Sequence, residues 1–261
     1  MKLPLLRAQV LEANLEIVRR GLVLYTFGNA SGIDRESGLI AIKPSGVPYD
    51  QMTAEDVVVC DLDGKIIEGG LKPSSDLETH LELYRAFSAI GGVVHTHSEF
   101  ATAWAQAGRP IPVCGTTHAE YFHGPVQVTE ELSDVEIQGE YELNTGKAIV
   151  RRTSGLDPVA TPAVLVAGHA PFTWGKTPME AAQNAVILEY VARMAFTTTV
   201  LRPDSAGISK ALLDRHYSHR HGADASYGRS DFLLRSDQYA CCYSEFARKE
   251  PHNGGVRGSK P

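Results

Sequence analysis

"GGVVHTHSEF", residues 91–100, is the stretch whose reading decides the fold and raises the question of function. Residues 92–94 are apolar and end in β-branched side chains, which predicts a short buried strand. The strand runs out into His95 and His97, separated by one threonine. Side chains alternate across a sheet, so positions two apart share a face and the two imidazoles point the same way. Such a pair is a ready chelate, although a lone His at a strand end is more often just hydrogen-bonded.

A second apolar run, "AVLVAGHAPFTWG", carries His169 at its exit, between Gly168 and Pro171. Strand ends are where layered α/β proteins build sites, and three imidazole nitrogens are a set that zinc accepts while leaving room for substrate. Asp76 in "KPSSDLETH" has a plain reading, an acid in the first turn of a helix, and a functional one. In the latter it is a carboxylate ligand or the partner that orients a histidine.

Working outward, Leu6, Val10, Leu11, Leu15 and Val18 recur at helical spacing, with Gly21 at the stop. "FGNASGID" reads as a loop dense in Gly, Asn and Ser, and "LIAIKPSG" as a short strand entering a turn. "DVVVCDLDGKIIEGG" reads as a hairpin around Asp63-Gly64. Ser75 and Glu78 have the spacing of a capping box. Phe100, Ala103 and Trp104 line one side of a further helix, Thr177-Pro178 with Glu180 opens a long one, and "ISKALLDRHYSHRH" predicts another. Strands alternating with helices indicate a layered α/β or α+β domain.

The composition is that of an ordinary globular chain: 261 residues, 43% hydrophobic and 21% charged, with a net charge of −6. That balance lacks the basic footprint of a nucleic-acid binder. Charges at Arg7, Glu12, Glu16, Arg19 and Arg20 interrupt any signal-peptide core, and no stretch approaches a membrane span, so a cytoplasmic location is expected. Cys60, Cys114, Cys241 and Cys242 have no spacing that suggests a zinc knot. Residues 229–261 change character, end in "HNGGVRGSKP" with little to bury, and are expected to form a poorly ordered extension.

Two further groups invite a functional reading. Asn29, Ser31, Ser45, Gly46, Ser74 and Ser75 sit in small-residue turns that offer N–H groups and hydroxyls, and Lys43 adds charge, so together they could cradle an anion. Taken singly, each is explained as a turn. In "GTTHAEYFHG", Glu120 beside His118 and His123 is a candidate acid or base if it faces a pocket. His216, His219 and His221 fall near a helix end, where cations are favourable for electrostatic reasons alone; His216 is kept as a site candidate.

The ordered blocks "GNASGID", "IKPSGV", "KPSSDLETH", "VVHTHSEFATAWAQAG", "GTTHAEYFHG", "GEYELNTG", "GHAPFTWGK" and "DRHYSHRHGA" followed by "YG" resemble the L-ribulose-5-phosphate 4-epimerases of the class II aldolase family, over residues 5–228. The resemblance implies a three-layer αβα sandwich with a central mixed β-sheet in one domain, residues 1–228. It also implies a homotetramer with sites between subunits, acting on a sugar phosphate with no nucleic acid or membrane partner. By position it implies one Zn2+ per subunit on Asp76, His95, His97 and His169. Asn29, Lys43, Ser45, Gly46, Ser74 and Ser75 would hold the phosphate and substrate, with Thr116 and Glu142 in support. Tyr227 matches a catalytic tyrosine supplied by the adjacent subunit. Glu120 departs from the pattern, because the epimerases carry aspartate there. Three other readings accompany this one: an aldolase that releases its fragments, an epimerase acting on a related sugar phosphate, and an adducin-head type of binding module, which loss of the histidines would mark. All three histidines are present.

Overall fold

The computed structural model describes residues 1–222 and residue 225. Residues 226–261, with Tyr227, the C-terminal extension, Cys241 and Cys242, lie outside the described residues, as do 223 and 224.

The chain opens with helix α1 (Pro4–Arg19), whose Val10, Ala13 and Ile17 are buried and which stops where Gly21 turns at φ 70°. Strands β1 (Asn29–Asp34), β2 (Leu39–Ile42), β3 (Val58–Cys60) and β4 (Ile66–Glu68) follow, and then helix α2 (Leu77–Ala86) and β5 (Gly92–His95). Helices α3 (Glu99–Gln106) and α4 (Thr116–Tyr121), β6 (Gln127–Val128), α5 (Asp134–Gln138) and α6 (Tyr141–Thr153) form the middle. Strands β7 (Ala163–Leu165) and β8 (Pro171–Gly175), the long α7 (Pro178–Leu201) and α8 (Lys210–His221) complete the described chain.

The eight strands form one mixed sheet in the order β4-β3-β2-β1-β5-β8-β7-β6. Only β6 and β7 run parallel; the other neighbours are antiparallel. Alternation sorts the core into layers. Val93, Phe172 and Trp174 pack toward α2 and α6 with Leu81, Tyr84 and Ile149. Ala30 and Val94 face the other way, onto Ala13 and Ile17 of α1 and Ala181, Ala182 and Ala185 of α7. Helix α3 joins α7 on that side through Trp104, Leu188 and Ala192. The three-layer αβα arrangement with a central mixed sheet is therefore the fold. No described helix is long and apolar enough to cross a membrane.

Two local expectations are corrected. "FGNASGID" is mostly strand β1, paired on both edges, rather than loop. Small residues serve close packing here: a Cβ on Gly32 would stand 2.7 Å from both Leu6 and Pro178. The Asn14 side chain satisfies Ala30, accepting from its N–H at 2.9 Å and donating to its carbonyl at 3.2 Å. Helix α2 begins at Leu77 with Asp76 as N-cap and no side-chain capping bond, so Ser75 and Glu78 form no box. The box that does form is Ser133 with Glu136 on α5. The hairpin around Gly64 and the Thr177 cap of α7 occur as expected.

Candidate metal centre

Strand β5 delivers His95 at its last position, and the chain leaves the sheet through Thr96 to His97. The turn between β7 and β8 delivers His169, held by its N–H on the Val166 carbonyl at 3.0 Å. One nitrogen from each ring lies within 4.8 Å of the others, the single group of this kind among the described residues. His95 Nε2 and His97 Nε2 are 3.1 Å apart.

His95 is the best-fixed of the three. Its Nδ1 is 3.0 Å from the Pro171 carbonyl. A carbonyl only accepts, so Nδ1 carries the proton and the Nε2 lone pair faces the cluster. Phe172 stacks on the ring at 4.2 Å and 18°. Behind it, Gly28 at φ 76° lets β1 approach, since a Cβ there would sit 2.9 Å from the His95 carbonyl oxygen. His169 Nδ1 lies 3.4 Å from the Tyr141 hydroxyl, and Phe27 lies 6.1 Å from His97 between ring centres.

The electrostatics suit a cation. Burial, then His95 and His97, pull His169 down to about 4. Loss of solvation, then His95, lowers His97. Both rings are thus neutral donors at neutral pH. Burial alone would raise Asp76, but His95, His80, the Asn29 hydrogen bond and His169 outweigh it, and its pKa falls. Three imidazoles beside a carboxylate are the donor set of a borderline divalent ion such as zinc.

Asp76 stands next to this triad without being among the three mutually closest ligands. Its carboxylate accepts from Asn29 Nδ2 at 2.6 Å, and Asn29 lies directly opposite His95 in the β1–β5 ladder. The two small-residue turns are tied to each other. Ser45 N–H donates to the Lys72 carbonyl at 2.8 Å and Ser74 N–H to the Lys43 carbonyl at 2.9 Å, while Pro44 bridges Pro73. Lys43 is buried, its ammonium 4.7 Å over the Tyr49 ring, and burial lowers its pKa. Gly46 and Ser75 are exposed beside these turns. Ser31 is also fully buried, in β1, and its hydroxyl is taken up by His80 and Tyr84, so it is not available to an anion.

The other candidates are placed apart. Thr116 opens α4 and lines a groove with Val191 and Thr198 of α7. Glu142 is near the start of α6, where its carbonyl accepts from Thr79 Oγ1 at 2.6 Å. Glu120 on α4 faces α8: its Oε1 is 3.6 Å from His216 Nδ1, and its carbonyl accepts from His221 Nε2 at 2.9 Å. Sequence reasoning passed over Tyr141, Phe172 and His80. The spacing of four between Asp76 and His80 was the signal for the last.

The αβα domain thus places a histidine triad that could hold a metal ion at its strand ends. Residues 8–196 match the model of the Class II Aldolase and Adducin N-terminal domain, and the chain belongs to that family. Among solved structures it is similar to an L-fuculose 1-phosphate aldolase at 25% identity and TM-score 0.71, covering 83% of this chain and 96% of that one. An aldolase II superfamily protein from Pseudomonas syringae shares the fold at 15% identity and TM-score 0.70, covering 90% of each chain. YgbL from Klebsiella pneumoniae does so at 24% identity and TM-score 0.62, covering 81% of this chain and 97% of that one.

Proposed function

We propose that this chain is a zinc-dependent L-ribulose-5-phosphate 4-epimerase, which interconverts its substrate with D-xylulose 5-phosphate by breaking and remaking the C3–C4 bond. The observation that carries the reading is the convergence of His95, His97 and His169 within 4.8 Å, next to Asp76 and the Lys43 and Ser74 turns. The C4 proton of a 2-ketose is not adjacent to the carbonyl, so direct removal is difficult and retro-aldol cleavage is the accessible route. A divalent ion on the three histidines, with Asp76 alongside, supplies Lewis-acid stabilisation of the charge that cleavage leaves on the C2 and C3 oxygens.

The chain's own residues do the rest. Ser45, Gly46, Ser74, Ser75 and Asn29 hold the phosphate, with the Lys43 ammonium buried behind the turns as a fixed positive charge, so the two-carbon aldehyde stays in place while it turns its other face. Glu120 moves the C4 hydroxyl proton on one side. Tyr227 of the partner subunit does so on the other, in a cytoplasmic homotetramer whose sites lie between subunits, with Thr116 and Glu142 in support. The extra methylene of Glu120 shifts its oxygens by about one bond length relative to aspartate, a displacement of the order that costs ~10²-fold in rate unless the pocket is built around it.

The likeness to an L-fuculose 1-phosphate aldolase supports a second reading, in which the fragments are released. One experiment separates the two. L-ribulose 5-phosphate labelled with 13C at C4 is incubated with zinc-loaded protein and followed by NMR. Labelled D-xylulose 5-phosphate without trappable free aldehyde is the expected result. Free glycolaldehyde phosphate establishes the aldolase instead, and an unchanged spectrum sinks both.

A further inference from the structure

Behind the triad runs a buried polar column. On β1, Asn29 and Ser31 are two apart and share a face. Across from them on α2, Asp76, His80 and Tyr84 are spaced four apart along one stripe. Asn29 holds Asp76, while Ser31 Oγ lies 2.7 Å from both His80 Nδ1 and the Tyr84 hydroxyl. His80 is completely buried and Tyr84 almost so.

Ser31 Oγ stands between the two groups and can accept from the Tyr84 hydroxyl while donating to His80 Nδ1. In that order the neutral His80 ring keeps its proton on Nε2. That nitrogen is enclosed and has no hydrogen-bond partner among the described residues. A buried donor left unpaired is costly, and is expected to have a use. Asp76 lies one helical turn earlier, its carbonyl accepting from the His80 N–H at 3.1 Å, and its charge acts on the His80 ring.

We propose that His80 is a positioning residue for the metal site: its Nε2–H is the donor that, together with Asn29, fixes the Asp76 carboxylate once a cation is bound. The inference rests on the metal reading given above. The Tyr84–Ser31–His80 chain thereby ties the core of α2 to the orientation of a carboxylate beside the triad. It explains a serine buried in the centre of a sheet.

The test uses the full chain labelled with 15N-histidine. Long-range 1H–15N spectra of the metal-free protein should show His80 as the Nε2–H tautomer, and its Nε2–H proton should move downfield on titration with zinc. Chelator competition then measures zinc affinity in variants. His80→Leu should weaken zinc ~10–100-fold, as loss of a ligand's outer partner does, and His80→Gln, which can accept from Ser31 and still donate, should restore most of it. The opposite tautomer, or a folded His80→Leu with wild-type zinc affinity, overturns the proposal. If the leucine variant does not fold, the wild-type spectrum and the glutamine variant decide. Wild-type protein that binds no zinc overturns the metal reading as well; zinc binding unaffected by His80 overturns this proposal alone.

Discussion

The sheet end that carries the triad and the α4–α8 pair that carries Glu120 are built in opposite ways. His95 is buried, fixed through Nδ1 by a main-chain carbonyl and stacked on Phe172, so a strand and the core set its orientation. Glu120 sits on a six-residue helix without a side-chain cap. What holds that helix to α8 lies near the surface: His123 on Asp214 at 2.8 Å, Tyr217 stacked 4.5 Å from both His123 and His221, and Arg220 4.0 Å over Tyr121. Exposed charge pairs contribute little, so this layer orients Glu120 far more loosely than the sheet orients His95. The half that would stabilise negative charge is preorganised by the fold, while the half that would move protons is held by a near-surface layer next to residues that lead to Tyr227.

The sharpest way to break this comparison is His97→Ala. His97 is exposed and outside regular structure, so the variant should fold with a near-wild-type thermal midpoint in the metal-free state. Its zinc affinity, read by chelator competition, should fall by more than the ~10–100-fold that outer partners cost, with turnover abolished. Unchanged affinity would mean that the triad is not the metal site. Next in size is Glu120→Gln, which should lower turnover ~10²–10⁴-fold, the range of general acid–base catalysis, with zinc affinity intact. Loss of zinc in that variant would show that the two halves are not separable.

The unequal construction also decides what could be read without coordinates. Period-two alternation placed His95 and His97 on one face, and it did so because a strand transmits register to its end residue. The caps of α1 and α7 were legible for the same local reason: Gly21 and Thr177 act within one turn. β1 was not legible, because its Asn29, Ser31 and Gly32 look like turn residues until Asn14, His80 and α7 are placed against them. Ser75 with Glu78 misled in the converse way, since Asp76 takes the N-cap position and its carboxylate turns to Asn29 instead of to the helix. Glu120 illustrates the limit: its neighbours His216 and His221 lie about a hundred residues later, and no local pattern links them to α4.

The smallest expected effect concerns the one part of α4 that resembles the sheet end. His118 is buried, its Nε2 is 2.8 Å from the Gly124 carbonyl, and its Nδ1 is enclosed without a partner. Burial pulls it down from 6.5 to about 4, against the opposing effect of that carbonyl. Below 6.5 the unfolded chain takes up a proton that the folded chain refuses until about pH 4, so stability falls as pH drops through that window and does not fall further on this residue's account below it. His118→Gln, which can keep a donor to Gly124, should flatten the decline. The thermal midpoint of metal-free wild type should drop more between pH 7 and pH 5 than that of the variant. Parallel curves would show that His118 already takes up its proton within the fold, and that α4 is as loosely held at its buried face as at its surface.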